Sequence, residues 1–350
     1  MKFCTLVILF VMLVNYYYPY SLSPQRFDKH LASGWFRNGN MLFTTKVLCL
    51  DGEMYNVINA RLDLLHHEKY KGRLGKMYRK NMERFHFNIQ RATITEEKEV
   101  LYINHQEKFK GFVYNSIYKF LYGENVSRLP IFDTWEINVY DGKRLVAFSY
   151  FDMGQNSMAS ILGIYHKDYA KYSLGLFTMM LEVEHGKSSG IRYYYPGYVL
   201  DKPSAFDYKL KLGVYDFYQD GKWKPYEQLT IERLSGRQIV SRLKDFEQVL
   251  LKENILHEWR YYPYFSLGYF QDVAHPFVKS PIHLVLKDQG SGDRYRIVEY
   301  DVEKEQYLIQ EVIECPEYDF ILHKQDKTNG TFHTKQWQRV LRYENKVNDA

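Results

Sequence analysis

Apolar and polar residues alternate along the middle of the chain with two different periods, and the switches between them mark out the elements. Residues 135–140 and 143–151 are rich in aromatic and β-branched side chains and flank Asp141-Gly142, a dipeptide that favours a tight hairpin turn. Within the second run, 146–152 is a buried strand. The polar turn 153–157 (MGQNS) then returns the chain into a further strand over 159–165. The period next becomes helical: Leu174, Phe177, Met180, Leu181 and Val183 cover one broad face, Ser173 stands at the N-cap position, and Gly190 stands where the helix should stop. A strand over 191–199 follows, so the predicted order is strand, strand, strand, helix, strand.

The flanking regions carry weaker patterns of the same two kinds. Ser23 caps a short helix over 24–33 with Gly34 after it, and 35–50 and 53–64 flank a second hairpin signal, Asp51-Gly52. The alternation Val57, Asn59, Arg61, Asp63 gives the second of these strands one solvated face. A helix is predicted over 68–84. Another starts at Thr95, Glu96 and Glu97 and runs to Leu121 with an interruption near Gly111. Beyond the core, 213–219 and 222–226 form a hairpin around Asp220-Gly221, 236–254 is an amphipathic helix, and 282–287, 295–302 and 306–315 form an antiparallel meander. The fold class is α+β, a mixed, mostly antiparallel sheet with flanking helices and a small C-terminal α/β-meander appendage. The expected division is an apolar N-terminal extension (1–22), an N-terminal α+β domain (23–128), the core (129–228) and an accessory region (229–350).

Charge and composition narrow the function classes. A net charge of +5 over 350 residues permits an RNA partner without demanding one, so the distribution decides. Lys69, Arg73, Lys76 and Lys80 recur at spacings of three or four and share a helix face that Arg84 extends. That face is either a solvated surface or a phosphate-binding one. The 33 tyrosines supply apolar area with a hydroxyl attached; they reflect either surfaces that meet polar partners or a genome-wide composition bias. Cys4, Cys49 and Cys315 are too few and too scattered for a disulfide framework or a tetrahedral metal site. His66-His67 point in different directions in a helix or a strand, and no metal-binding, P-loop or dinucleotide motif is present, so no metal is expected.

Lys2 followed by the apolar run 3–14 is similar to a signal-peptide core and is too short to span a bilayer. Asn15-Tyr16-Tyr17-Tyr18-Pro19 offers no small-x-small cleavage site. A buried N-terminal strand, or an over-extended start with Met12 as the alternative, is the favoured account of the run. The expectation is a cytoplasmic protein with no stable membrane association.

The order of the core elements is that of the GNAT acyltransferase fold, and the wording resembles the aminoacyl-tRNA–protein transferases of the arginyl/leucyl type, which extend N-degrons. The matching pieces are Phe151-Asp152-Met153-Gly154 with Ser157, Asp168-Tyr169-Ala170, and Tyr172-Ser173-Leu174-Gly175. Glu182 and Glu184, Tyr193-Tyr194-Tyr195-Pro196-Gly197-Tyr198 and Phe206-Asp207-Tyr208-Lys209 continue the match. Gly34-Trp35-Phe36-Arg37-Asn38-Gly39 and the basic stretch 71–84 supply its N-terminal part. The resemblance covers roughly residues 20 to 225. One departure stands out: the family commonly carries clustered N-terminal cysteines linked to an iron–sulfur or metal site, and here Cys49 stands alone, so no cofactor of that kind is expected.

What the resemblance implies is peptide-bond formation from a tRNA ester, with aminoacyl-tRNA as donor and a protein N-terminus as acceptor. The ester is already activated, so positioning does most of the work and a general base and oxyanion donors supply the rest. Tyr172, Ser173 and Gly175 open a helix whose start would meet the tRNA 3′ end; the coenzyme A glycine pattern is absent there. Tyr193 and Tyr195 share one strand face and Tyr194 the other. These tyrosines and Tyr198 either fill the core or line the slot, with Tyr195 as an oxyanion donor. Asp152 and Asp207 are candidate bases or else turn residues. Arg37 and Lys209 are candidate partners of an acidic acceptor, Ser157 and Tyr208 are further substrate-binding candidates, and Lys69, Arg73, Lys76, Lys80 and Arg84 would bind tRNA. The alternatives are a GNAT enzyme using acyl-CoA and a non-catalytic RNA- or protein-binding protein with a GNAT-like core.

Overall fold

A computed structural model describes residues 13–50, 53–106, 114–123, 130–261, 280–286, 294–314 and 322–324. In chain order the elements begin with β1 (Val14–Tyr17), α1 (Pro24–Ala32), β2 (Phe36–Asn38), β3 (Met41–Thr45), β4 (Val47–Leu50) and β5 (Glu53–Asp63). Next come α2 (Gly72–Arg84), β6 (His86–Arg91), α3 (Glu96–His105), α4 (Ile117–Tyr122), β7 (Thr134–Asp141), β8 (Arg144–Met153), β9 (Ser157–Tyr165) and α5 (Leu174–Ser188). After them lie β10 (Tyr193–Tyr195), β11 (Tyr198–Leu200), β12 (Asp216–Gln219), β13 (Lys222–Pro225) and α6 (Ser235–Lys252). The series ends with β14 (His257–Tyr261), β15 (Ile282–Leu286), β16 (Arg294–Asp301), β17 (Gln306–Glu314) and β18 (Leu322–Lys324). The chain divides into two compact units, one of residues 16–44 and 57–229, the other of 1–15, 45–56 and 230–350.

The larger unit is a mixed α+β layer structure around one sheet, in the order β13-β12-β5-β10-β9-β8-β7-β6, with β11 also on β5. All neighbours are antiparallel except β9 and β10, which are parallel and therefore need a crossover; α5 supplies it. Strand β8 is buried from Leu145 to Asp152, as a central strand covered on both faces must be. On one face lies α5, hydrophobic nearly all round, with Phe177, Met180 and Val183 packed on Ile137, Val146 and Phe151. The other face carries α3 and α4 over Phe148, Tyr150 and Ile164, and α1 over Ala159 and Tyr195.

Several elements differ from their sequence signals for local reasons. The 135–151 hairpin closes with Gly142 and Lys143 as the loop pair, since Asp141 pairs with Arg144 and only Gly142 takes positive φ (63°). The single strand expected over 191–199 is two strands, because Pro196 lacks an amide hydrogen and Gly197 turns the chain at φ 87°. Helix α2 starts four residues later than predicted, at Gly72, whose φ of 57° breaks the approach. Ser173 is not a side-chain cap: a 3-10 turn over Lys167–Tyr172 feeds straight into α5, Ser173 sits in the left-handed region at φ 53°, and its hydroxyl caps nothing. The apolar run 3–12, Cys4, Cys315 and the interruption near Gly111 lie outside the described residues.

In the smaller unit, α6 presents Ile239, Leu243, Phe246 and Leu250 at helical spacing to the face of the sheet β14-β15-β16-β17-β18 that carries Leu284, Val298, Tyr300 and Tyr307. The expected meander is thus its centre, with β14 and β18 as unforeseen edges. Among the described residues no helix is long and apolar enough to cross a membrane.

Candidate active site

The site is a fork in the sheet. Strand β10 pairs with β9 through Tyr193↔Ser157, Tyr194↔Met158 and Tyr195↔Ala159 and then leaves, while the following strand β11 pairs with β5 instead. β9 runs on to Tyr165. In its pairing with β8, Phe151 faces Ser160 and Tyr150 faces Leu162, so a bulge places Ile161 just past the last β9–β10 pair. Beyond Ala159, β9 therefore presents an edge that β10 does not fill. Backbone N–H groups on such an edge are donors for a carbonyl oxygen.

On the α5 side of the fork, Tyr194 Oη donates to Glu182 Oε2 at 2.8 Å, and both side chains are fully buried. Burial pushes the Glu182 carboxyl up to about 7, with the hydroxyls of Ser149, Tyr194 and Ser160 opposing the shift. Its second oxygen, Oε1, closes no hydrogen bond. Tyr208 lies in the 3-10 turn Asp207–Leu212; burial around its hydroxyl raises it to about 12, with the charges of Glu182 and Tyr165 adding to the effect. Where a Cβ of Gly175 would stand, the Tyr165 ring lies 3.5 Å away, so the start of α5 closes on β9.

The opposite side is held by ion pairs and turns. Arg37 Nη1 donates to Asp152 Oδ1 at 2.6 Å and to Thr134 Oγ1 at 2.8 Å, Nε donates to the Gly39 carbonyl at 2.7 Å, and Nη2 donates to the Leu121 carbonyl. The guanidinium lies 4.1 Å from the centre of the Phe132 ring. Arg37 and Asp152, expected to meet the acceptor, stand 115 residues apart in the chain and bind each other, at 3% and 0% side-chain exposure. Ser157 Oγ donates to Asp28 Oδ1 at 2.5 Å, and the amide of Asn156 donates to Asp28 Oδ2 at 2.9 Å. The 153–157 turn is moored to α1 through this carboxylate.

Tyr193 and Tyr195 lie on that side too, as alternation requires. The Arg61 guanidinium stands 4.1 Å from the Tyr193 ring centre and 4.4 Å from that of Trp223. Burial raises the Tyr195 hydroxyl to about 12. Asp207 accepts from the Ser204 amide at 3.1 Å and its hydroxyl at 3.0 Å, which makes it a loop-fixing carboxylate rather than a free base. Lys209 Nζ donates to the Tyr198 carbonyl at 3.3 Å and lies 4.8 Å from the Phe206 ring centre. Burial pushes it down to about 8 and raises the Tyr198 hydroxyl.

Beside the start of α5, Asn81 Nδ2 of α2 donates to the Tyr172 carbonyl at 2.8 Å, and Arg84 stacks 4.9 Å from the Tyr172 ring centre while binding Asp141 at 2.7 Å. Arg73, Lys76 and Lys80 lie along α2, and Lys69 lies exposed just before it. His66 pairs with Asp63 at 3.4 Å while His67 faces the Leu212 carbonyl at 2.7 Å, so the two rings diverge. Among the described residues no three His, Cys, Asp or Glu side chains gather as a metal site would require.

Asp28 and Thr134 are not evident in the sequence pattern, because they carry no local signal. Glu182 does: it is an acid between Leu181 and Val183 in a helix with apolar residues on every side.

Residues 75–219 match the family described as arginine-tRNA-protein transferase, C terminus. The aspartate/glutamate leucyltransferase of Leptospira interrogans is 28% identical over 200 residues, 55% of this chain and 74% of that protein. That of Helicobacter hepaticus is 23% identical over 235 residues, 64% of this chain and 95% of that protein. Among solved structures, a tandem GNAT protein from the clavulanic acid biosynthesis pathway has a TM-score of 0.32 at 10% identity, covering 51% of this chain and 52% of that one.

Proposed function

We propose, for a chain that carries in residues 75–219 the C-terminal domain of the arginine-tRNA-protein transferase family, that it moves an amino acid from aminoacyl-tRNA onto the N-terminus of an acceptor protein. The observation that carries this reading is the β9/β10 fork with the start of α5 and the cations of α2 beside it. Aminolysis of a tRNA ester balances without any further cofactor: an amine and an ester give an amide and a ribose hydroxyl. The edge of β9 past Ala159 supports the acyl carbonyl, while Tyr172, Ser173 and Gly175 lie where the tRNA 3′ end would approach. Arg73, Lys76 and Lys80, with Lys69 and Arg84 at the ends of that stretch, track phosphates. Charged tRNA places the activity in the cytoplasm.

The names of the relatives favour leucine as the donated residue and N-terminal Asp or Glu as the acceptor. Lys209 then meets the acidic side chain, since Arg37 is held by Asp152. Asp152, Ser157 and Asp207 act by fixing the turns around the fork, and Tyr193, Tyr195, Tyr198 and Tyr208 form its aromatic rim.

The test is transfer itself. The purified chain is incubated with charged tRNA-Leu or tRNA-Arg and peptides beginning Asp, Glu, Arg or Lys, and added mass is read at the N-terminus. Leucine should appear on the acidic peptides and disappear after ribonuclease treatment. Lys209→Met should lower kcat/KM for them by about 10- to 100-fold, the worth of one charge-assisted hydrogen bond. No addition with any pair, or activity driven by coenzyme A thioesters instead, overturns the reading.

A further inference from the structure

Most arginines of the larger unit are occupied by a carboxylate: Arg37, Arg61, Arg84, Arg91 and Arg192 each pair with an aspartate. Arg144 is different. It stands exposed at the tip of the β7–β8 hairpin, pairs with no acid among the described residues, and donates from Nη2 to His166 Nε2 at 2.7 Å. Exposed Lys143 beside it, with exposed Lys167 and Lys171 in the 3-10 turn Lys167–Tyr172, makes a group of four cations. The acids nearby do not cancel them. Asp141 is neutralised by Arg84, and Asp168 is turned to His166 Nδ1 at 3.6 Å.

Several of these cations are held in place. The Arg144 guanidinium, tied to His166, stands 6.0 Å from the Tyr169 ring centre, and Tyr169 Oη donates at 3.0 Å to Asp141 Oδ2, the oxygen that receives Arg84. Arg84 lies 4.9 Å and Lys171 Nζ 5.2 Å from the Tyr172 ring centre. A cation laid against a ring or bonded at one end has already lost part of its rotamer freedom, so less is lost when a phosphate arrives. The position of the group matters as much. The 3-10 turn runs straight into α5, and Arg84 joins the hairpin to the end of α2, whose one acid is Glu83, so both sets of cations form one strip passing the α5 start.

We propose that the β7–β8 tip and the 3-10 turn before α5 are a second RNA contact, in which Lys143, Arg144 and Lys171 meet phosphates of the acceptor arm of the donor tRNA. This rests on the transferase reading above. Exposed cations on polar turns, preset by aromatic and histidine neighbours, match a phosphate backbone in charge and in form. With α2 on one stretch of backbone and the tip on another, the tRNA 3′ end is directed past the α5 start toward the fork. His166 acts as a positioning residue for Arg144.

The experiment measures binding of a tRNA-Leu transcript, and of a minihelix holding only its acceptor arm, across a salt series. Wild type is compared with the full chain carrying Lys143→Ala, Arg144→Ala and Lys171→Ala together. All three positions are exposed, so circular dichroism should not change. The slope of log K on log salt should flatten by about 2 to 3 for both RNAs, at roughly 0.7–0.9 per phosphate. With charged tRNA, KM should rise about 10-fold or more while kcat stays within about two-fold. Arg144→Lys should recover part of the Arg144→Ala loss, and His166→Ala should reproduce part of it. Affinity and slope like those of wild type overturn the proposal, and so does a loss seen with the transcript but absent with the minihelix. Wild type that binds tRNA and transfers nothing overturns the transferase reading while the RNA contact stands, whereas wild type that binds neither RNA overturns both.

Discussion

The two faces of the central sheet treat buried acids in opposite ways. On the face covered by α1, α3 and α4, both buried acids have a cation, although Asp152 Oδ2, like Glu182 Oε1, closes no hydrogen bond. Asp152 receives Arg37 and Thr134, while Glu136 receives Lys98 at 2.6 Å and Gln90, Asn138 and the Thr93 amide and hydroxyl at 2.8–3.0 Å. On the face covered by α5, Glu182 meets hydroxyls only. A buried ion pair fixes one arrangement of its partners, whereas a carboxyl with hydroxyl neighbours alone is pushed by burial toward its neutral form. The contrast teaches that burial alone does not mark a reactive acid. The identity of the partners separates the two: Asp152 belongs to an ion-paired scaffold, and Glu182 has hydroxyls beside it.

The largest expected effect tests the scaffold face. Asp152→Ala strands a buried guanidinium and should cost about 3–5 kcal/mol in urea unfolding, most of it recovered in the apolar pair Arg37→Met with Asp152→Leu. A cost under about 1 kcal/mol, with activity abolished in a folded protein, would return Asp152 to the chemistry and dissolve the contrast.

The α5 face predicts the opposite sign. The Glu182 carboxyl titrates near 7 when folded against an ordinary 4.5, so it does not weaken the fold below pH 4.5, where it is protonated in both states. Stability declines as pH rises from 4.5 through 7 and stays low above. Glu182→Gln should therefore be the more stable protein at pH 8, by about 3 kcal/mol, with the gap closing toward pH 4.5. Denaturation curves at pH 5 and pH 8 that show the same difference would rule out a proton-holding carboxyl.

The smallest effect concerns the surface beside both faces. Replacing Arg73, Lys76 and Lys80 with Ala should leave folding unchanged and flatten the dependence of log K on log salt for tRNA, by roughly 0.7–0.9 for every phosphate no longer neutralised. An unchanged slope removes α2 from the interface.

The sequence disclosed the framework of the α5 face because its information is local. Gly142, the 153–157 turn, the apolar spacing of 174–183 and Gly190 at φ 73° each act within a few residues of themselves. The fork is half legible: Pro196-Gly197 is visible, but its meaning depends on β11 choosing β5, which no spacing states. The cap signal at Ser173 misleads because the preceding 3-10 turn decides its backbone. Arg37 with Asp152, and Lys98 with Glu136, join residues 115 and 38 apart in the chain, so composition and period are silent about them. Glu182 belongs to a matching motif, but no spacing states that the groups beside it are hydroxyls.

The mooring of the 153–157 turn to α1 bears on how the molecule is made. A Cβ on Gly154 would stand 2.0 Å from Asp28 Oδ1, so the approach is tight, and its two sides are separated by 128 residues from Asp28 to Asn156. At ribosomal rates of about 5–20 residues per second, α1 leaves the exit tunnel roughly 6–25 s before its partner exists. During that interval Phe27 and Leu31 have no sheet to cover. Closure of this long loop costs more chain entropy than the local pairing of β7, β8 and β9, and is expected to follow it.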